Sequence, residues 1–351
     1  MSTDIIFSRE GNAGRVLLNR PKVLNALNHK MIIQLKNKLE SWSKDNSIKL
    51  VIIEGAGEKA LCAGGDIRAL YDSRPNNQQF VARFYADEYL LNMTIKSFPK
   101  PYVSVMDGIV MGGGVGVTVP GSHRIVTERT ICAMPETGIG LIPDVGSTYF
   151  LARAPKHIGT YIGLTGTKMN ASDTIYAGFA DHTVQSKSLP TLLEELSHGN
   201  YENDIESEIN SIISSYKTIM EPSKLEPLSF FISNIFSNNS IEKIITGLKN
   251  HDSKWSKETL DTLNKKSPTS LKLSLRAIKG AEKLCFNDCI KIEYRVVLNI
   301  MKGSDIYEGI RALIVEKDNR PQWQPNSLED VTDNIVNDHF QLFTEEELPL
   351  L

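Results

Sequence analysis

The sequence predicts an α/β fold that gives way to an all-helical second half. Up to about residue 185, short apolar runs alternate with segments of helical spacing, the β-then-α rhythm of α/β domains. Beyond residue 186 the strand signals stop, glycine thins out, and apolar residues recur at helical spacing. Twice, at "LCAGGDI" (61–67) and "MDGIVMGGGVG" (106–116), a strand-like run breaks into glycines just before a helix-like segment. The expected organisation is an α/β core over residues 1–185 and a mostly helical C-terminal region over residues 186–351.

The elements follow in order. "RVLLN" (15–19) reads as a strand that stops at Pro21. Residues 25–42 read as a helix, with Leu27, Met31, Leu35, Leu39 and Trp42 on one stripe. "KLVIIEG" (49–55) is a short apolar run closed by glycine, hence a buried strand, and "KPYVSVMDG" (100–108) is another, started by Pro99 and Pro101. "HRIVTERTICAMPE" (123–136) reads as two short strands around Glu128 and Arg129. In the second half, "LPTLLEEL", "NDIESEINSIISSY", "SIEKIITGLK" and "SPTSLKLSLRAIKGAEKLC" have helical spacing. Ser267 followed by Pro268 is a helix start, a capping side chain and then proline in the first turn. Residues 186–265 are polar and the most weakly patterned part of the chain.

Composition narrows the function. The 351 residues are 41% hydrophobic and 23% charged, with a net charge of −3 and no basic block, which argues against a nucleic-acid partner. The longest apolar runs are far too short to span a bilayer, so no membrane partner is expected. The four cysteines, Cys62, Cys132, Cys285 and Cys289, form no CxxC pair and have no histidine cluster beside them, as expected of reduced, packed thiols rather than a metal site. Cys285 and Cys289 are one helical turn apart, a spacing that suits helix packing. No HExxH, GxSxG or phosphate-loop motif is present. The N-terminal "MSTDIIFSRE" lacks a secretory pattern, and its acidic Asp4 and Glu10 are unlike a transit peptide. The C-terminal "ELPLL" is not a peroxisomal address.

The glycines of "MGGGVG" need a reason, because glycine in a helix interior costs about 1 kcal/mol relative to alanine. One reading is tight packing of a helix on a strand. The other is close approach of the backbone to a ligand, with free N–H groups at a helix start facing negative charge. A dinucleotide fingerprint fails, since its spacing would need glycine at Val117. The second junction, with Gly64 and Gly65, adds weight to the ligand reading, since two such junctions can each give one amide to the same oxygen.

Four stretches, "LNRPKVLNALN" (18–28), "LCAGGDI", "MDGIVMGGGVG" and "AMPETGIGLIPDVGSTYFL" (133–151), together and in this order resemble the crotonase, or enoyl-CoA hydratase, superfamily. Further stretches, "DEYLLN" (87–92), "LIPDVG" (141–146), "EYRV" (293–296) and "DIYEGIRALIVEKDNRPQWQP" (305–325), resemble a branch of it that hydrolyses short hydroxyacyl-CoA thioesters. The resemblance implies a crotonase-like spiral of ββα turns followed by a helical C-terminal region that covers the site and takes part in homo-oligomeric assembly. It implies an acyl-CoA substrate whose carbonyl oxygen lies between the amides of Gly65 and Gly113. No metal and no separate cofactor is implied, CoA being part of the substrate.

Hydration of an enoyl-CoA needs two carboxylates. Hydratases of the superfamily carry one of them at the position of Gly116, which has no side chain here; the other is Glu136. That weakens the hydratase or isomerase reading and leaves thioester hydrolysis. The resemblance assigns catalysis to Glu136 and Asp144, with Glu136 as nucleophile or as general base. It places Glu88, Gly113, Glu136 and Asp144 against the substrate, and Lys22 and Arg68 near the CoA phosphates. Read locally, Glu88 is a surface carboxylate on a helix, Glu136 a helix-start carboxylate, Asp144 an N-cap before "VGSTYFL", and Lys22 and Arg68 solvated cations. A non-catalytic scaffold of the same fold has no need of Gly65, Gly113, Glu136 and Asp144 together. The resemblance points to branched-chain amino-acid breakdown, and so to mitochondria, although no presequence is readable.

Overall fold

A computed structural model of the chain describes residues 3–72, 78–341 and 348. Apart from Leu348, the C-terminal "ELPLL" lies outside the described residues, as do Met1 and Ser2. The chain forms two compact units, each drawn from distant stretches of sequence. One comprises Met1–Gly65, Leu90–Ala133 and Lys168–Glu226; the other comprises Asp66–Tyr89, Met134–Thr167 and Pro227–Leu351.

The first unit holds every strand among the described residues. They are β1 (Ile5–Glu10), β2 (Ala13–Leu18), β3 (Leu50–Gly55), β4 (Ala60–Cys62), β5 (Tyr102–Met106), β6 (Ile109–Met111), β7 (His123–Val126), β8 (Ile131–Ala133) and β9 (His182–Thr183). A six-stranded sheet has the order β1-β2-β3-β5-β7-β9, and a three-stranded sheet has the order β4-β6-β8. Only the β1–β2 hairpin is antiparallel; the remaining neighbours pair parallel. Successive strand pairs β3/β4, β5/β6 and β7/β8 each give one strand to the large sheet and one to the small, so the chain winds as a spiral.

Burial explains the composition of these strands. Leu50, Val51, Ile52 and Ile53 of β3 are fully buried, which suits a parallel strand covered on both faces. Leu192, Leu193 and Leu196 of the helix Leu189–His198, with Ile209 and Ile213 of the helix Ile205–Ser215, pack against Leu50, Ile52, Val103, Val105 and Ile125. Each such side chain contributes about 1.5–3 kcal/mol when buried. The compact units therefore cross the sequence division at residue 185. The strands do end by Thr183, but the next two helices cover the large sheet and belong with it.

Helix α1 (His29–Lys44) starts later than the 25–42 periodicity suggests. Leu24 and Asn25 have φ of 54° and 56°, in the left-handed region, so the chain cannot be helical there. Asn28 is the cap, its side chain accepting from the Met31 N–H. Met31, Leu35, Leu39 and Trp42 form the buried stripe, while Leu27 is buried ahead of the helix. Ser267 caps the helix Pro268–Gly280 through the Ser270 N–H. Of the cysteines, Cys62, Cys132 and Cys289 are buried, but Cys285 is exposed, because it precedes the helix Phe286–Ile300 instead of lying on its inner face.

Candidate active site

The two glycine junctions meet in the first unit. After β4, Gly64 takes φ of +119°, a conformation side chains rarely allow. The Leu27 N–H donates to the Gly64 carbonyl at 2.9 Å, and Leu27 pairs with Gly65 as an isolated parallel bridge. A trans peptide sets its carbonyl and N–H on opposite sides, so the Gly65 N–H points away from Leu27. After β6, Gly112 at φ +50° leads into α4 (Gly113–Gly116), α2 (Ile67–Asp72) and α3 (Gln78–Lys96) lying between the two junctions in sequence. The Gly112 carbonyl accepts from Val115 at 2.8 Å and Gly116 at 3.2 Å. By the same peptide geometry the Gly113 N–H leaves through the helix start, where no intrahelical acceptor exists.

A Cβ on Gly64 would lie 3.4 Å from the Met111 oxygen and 3.8 Å from the Gly113 nitrogen, so the junctions adjoin. Gly114 has a different reason. A Cβ there would come within 2.2 Å of the Cys62 carbonyl oxygen, so α4 can pack on β4 only with glycine.

The carboxylates gather in the second unit. Glu136 opens a 3-10 turn, Glu136–Ile139, in keeping with its local reading as a helix-start carboxylate. It is buried, and its Oε2 has no hydrogen-bond partner among the described residues. Burial, and then the Asp144 charge, push its pKa well above the usual glutamate range. Asp144 is also buried; its Oδ2 accepts the Tyr89 hydroxyl at 2.6 Å, and burial pushes its pKa up to about 7 against that bond.

Glu88, on α3, is 3% exposed and its Oε1 is likewise partnerless, which overturns the surface reading. From Phe84 onward α3 is buried on nearly every side, including Tyr85, Tyr89, Leu91 and Asn92, so no polar stripe marks Glu88 as outward. Burial and the Asp144 charge raise its pKa well above the ordinary range.

Asp144 is not the side-chain cap of α5 (Ser147–Arg153). Val145 and Gly146 intervene at φ 55° and 81°, and only the Asp144 backbone carbonyl reaches the helix, accepting from Ser147 at 2.8 Å. The helix-start N–H groups are taken instead by Glu293, whose Oε2 accepts from Gly146 at 2.6 Å and Oε1 from Thr148 at 3.0 Å. The Thr148 hydroxyl also donates to Oε1. A β-branched residue in the left-handed region is strained by about 1–3 kcal/mol and persists where its surroundings over-determine it.

Lys266 faces this group. Its Nζ lies 3.2 Å from where a Cβ on Gly138 would sit and 3.3 Å from one on Gly166. Burial lowers its pKa, while the Glu136 charge acts in the opposite direction.

The structure thus brings Glu88, Glu136 and Asp144 into one buried group, and sets Gly64, the residue before Gly65, beside Gly113 in the other unit. Lys22 is exposed in the turn Pro21–Val23. Arg68 is exposed on α2 and donates from Nε to both Asp72 carboxylate oxygens at 3.1 Å. Tyr89, Lys266 and Glu293 escaped the sequence reading. Tyr89 and Glu293 stood inside the stretches "DEYLLN" and "EYRV", which was the available signal, but their partners lie 55 and 147 residues away. Chemically, several like charges buried together cannot all ionise, so this group holds its protons above the usual carboxylate range.

The spiral of ββα turns and its helical C-terminal region are the architecture of crotonase-fold acyl-CoA enzymes. The enoyl-CoA hydratase/isomerase family matches residues 13–340, and the chain belongs to it. It is 41% identical over 354 residues to the 3-hydroxyisobutyryl-CoA hydrolase, mitochondrial, of Gallus gallus, covering 99% of this chain and 91% of the relative. It is 39% identical over 343 residues to the enzyme of the same name from Homo sapiens, covering 96% and 88%. Among solved structures, a carnitinyl-CoA dehydratase from Mycobacterium thermoresistibile matches with a TM-score of 0.92 and 38% identity over 99% of each chain. An enoyl-CoA hydratase from Rhodobacter sphaeroides 2.4.1 matches with a TM-score of 0.92 and 34% identity, covering 99% of this chain and 100% of its own.

Proposed function

We propose that this protein is a thioester hydrolase that cleaves 3-hydroxyisobutyryl-CoA to the free hydroxy acid and CoA, and accepts 3-hydroxypropionyl-CoA. The observation that carries the reading is Glu136, buried with a partnerless oxygen and coupled to Asp144, while Gly116 offers no second carboxylate for hydration. The names of the relatives support the same substrate and mitochondria as the compartment, and valine breakdown as the setting belongs to the proposal. Homo-oligomeric assembly belongs to the proposal too.

In the proposed chemistry the thioester oxygen is received by the Gly65 and Gly113 amides, each worth about 100–1,000-fold in rate. Glu136 delivers oxygen to the carbonyl carbon in one of two ways. As nucleophile it forms an acyl anhydride, the C–S bond breaks, and water then cleaves the anhydride. As general base it takes a proton from water, whose oxygen adds to the carbon before the C–S bond breaks. The raised pKa of Glu136 bears on both routes alike, since the carboxylate must be ionised to act as nucleophile or as base. Asp144 passes a proton to the departing thiolate, and Glu88 receives the hydroxyl of the acyl chain. Lys22 and Arg68 meet the CoA phosphates, Arg68 by exchanging Asp72 for them.

Thiol release across a panel of short acyl-CoAs, run beside loss of enoyl absorbance from crotonyl-CoA, tests the assignment. Thiol release from the hydroxyacyl thioesters is expected. Hydration of crotonyl-CoA with no thiol released from any of them would overturn it.

A further inference from the structure

We propose that Glu293 is a positioning residue for this reaction: from the helix Phe286–Ile300 its carboxylate clamps the turn that follows Asp144 and so sets where that acid stands. The inference rests on the reading of Asp144 as a proton donor. Glu293 is fully buried, and both its oxygens are committed to this turn, accepting from the Gly146 N–H at 2.6 Å, the Thr148 N–H at 3.0 Å and the Thr148 hydroxyl. Such bonds to an ionised carboxylate are about twice as strong as neutral ones. They grip the residue directly after Val145, whose φ of 55° needs outside support.

The same helix presses on the turn at a second point. A Cβ on Gly146 would come within 2.3 Å of the Phe286 ring, so the contact leaves no slack. On the far side Tyr89 holds Asp144 by its hydroxyl at 2.6 Å, and the Tyr89 ring meets Tyr294, the neighbour of Glu293, edge-on at 6.0 Å. Asp144 is therefore pinned between α3 and the helix Phe286–Ile300.

The clamp is also electrical. Asp144 and Glu293 are each pushed up to about 7, first by burial, and the Asp144 charge further raises Glu293. Pairwise repulsion is mutual, so the two titrate as a linked pair. The other groups facing them are Tyr85, Glu88 and Tyr89 from α3, Glu136 from its 3-10 turn and Cys289 from the helix of Glu293. Removing the Glu293 charge makes Asp144 easier to ionise.

The test compares Glu293→Gln and Thr148→Val with Asp144→Asn, measuring kcat, KM and the pH–rate profile on full-length protein. Glu293→Gln keeps the volume but loses one acceptor. It is expected to lower kcat by about 100-fold with KM nearly unchanged, and to move the pH midpoint of Asp144 downward. Thr148→Val removes one donor and should shift both in the same direction by less. A folded Glu293→Gln variant with wild-type kcat and midpoint, beside an inactive Asp144→Asn, overturns the role of Glu293 and leaves that of Asp144 standing. Full activity in Asp144→Asn overturns both. Should Glu293→Gln fail to fold, an unchanged kcat and midpoint in Thr148→Val overturns the clamp.

Discussion

The hydroxyl of Tyr89 donates to Oδ2 of Asp144 at 2.6 Å, in a region where both side chains are buried. That bond is the main influence opposing burial at Asp144. Tyr89→Phe removes it while keeping the ring. The limb of the pH–rate profile governed by Asp144 is expected to move to higher pH, and the melting temperature to fall, since a buried acceptor left unsatisfied costs about 1–3 kcal/mol. An unmoved limb would mean that Asp144 does not govern the rate.

Glu136→Gln should lower thiol release by at least about 1,000-fold. Its circular-dichroism melt should be unchanged or higher, because glutamine carries no charge to bury. In wild-type enzyme, a single turnover in heavy-oxygen water separates the two routes. The base route puts solvent oxygen into the product every time, whereas the anhydride route can carry a Glu136 oxygen into the acid.

Buried carboxylates make stability depend on pH, and the sign follows from the raised values. A raised folded-state pKa gives a contribution fully present below the unfolded pKa and lost as pH rises through the folded one. For Asp144 and Glu293 that window runs from their ordinary values of 3.8 and 4.5 to about 7. Glu88 is raised in the same direction. Glu88→Gln should therefore gain stability relative to wild type as pH rises from about 5 to about 8. Melts of both proteins at the two pH values decide it. A difference independent of pH would show that Glu88 takes up no proton on folding in this range.

Two glycines should respond to alanine in opposite ways. Gly114→Ala forces a Cβ to 2.2 Å from the Cys62 carbonyl oxygen, which must push α4 off β4. Destabilisation of about 1–3 kcal/mol or more is expected. Gly280, the last residue of the helix Pro268–Gly280, has nothing within 4 Å of an added Cβ. Gly280→Ala should stabilise by about 0.4–1 kcal/mol. Denaturant melts of the two variants test the contrast directly.

Local rules made much of the fold readable. β3 and β5 are short apolar runs bounded by breakers, and Ser267 caps its helix because capping depends on residues three apart. Reading failed where backbone conformation or distant partners intervened. The stripe from Leu27 was real, but two left-handed residues, Leu24 and Asn25, delay α1. Glu88 and Asp144 were misplaced locally because their settings come from other elements. α3 is enclosed nearly all round, and the cap of α5 comes from Glu293, 145 residues beyond Thr148.

The change from strands to helices and the two glycine junctions follow from residue types and their near neighbours and were legible along the chain, whereas the acids were singled out by the resemblance and not by their local setting. Which acids share one desolvated region, which hydroxyl holds Asp144 and which carboxylate grips its turn are matters of contact between residues far apart in sequence. Protonation follows from those contacts, because a carboxyl group's pKa is set by the water it has lost and the charges it meets, and only folding assembles either.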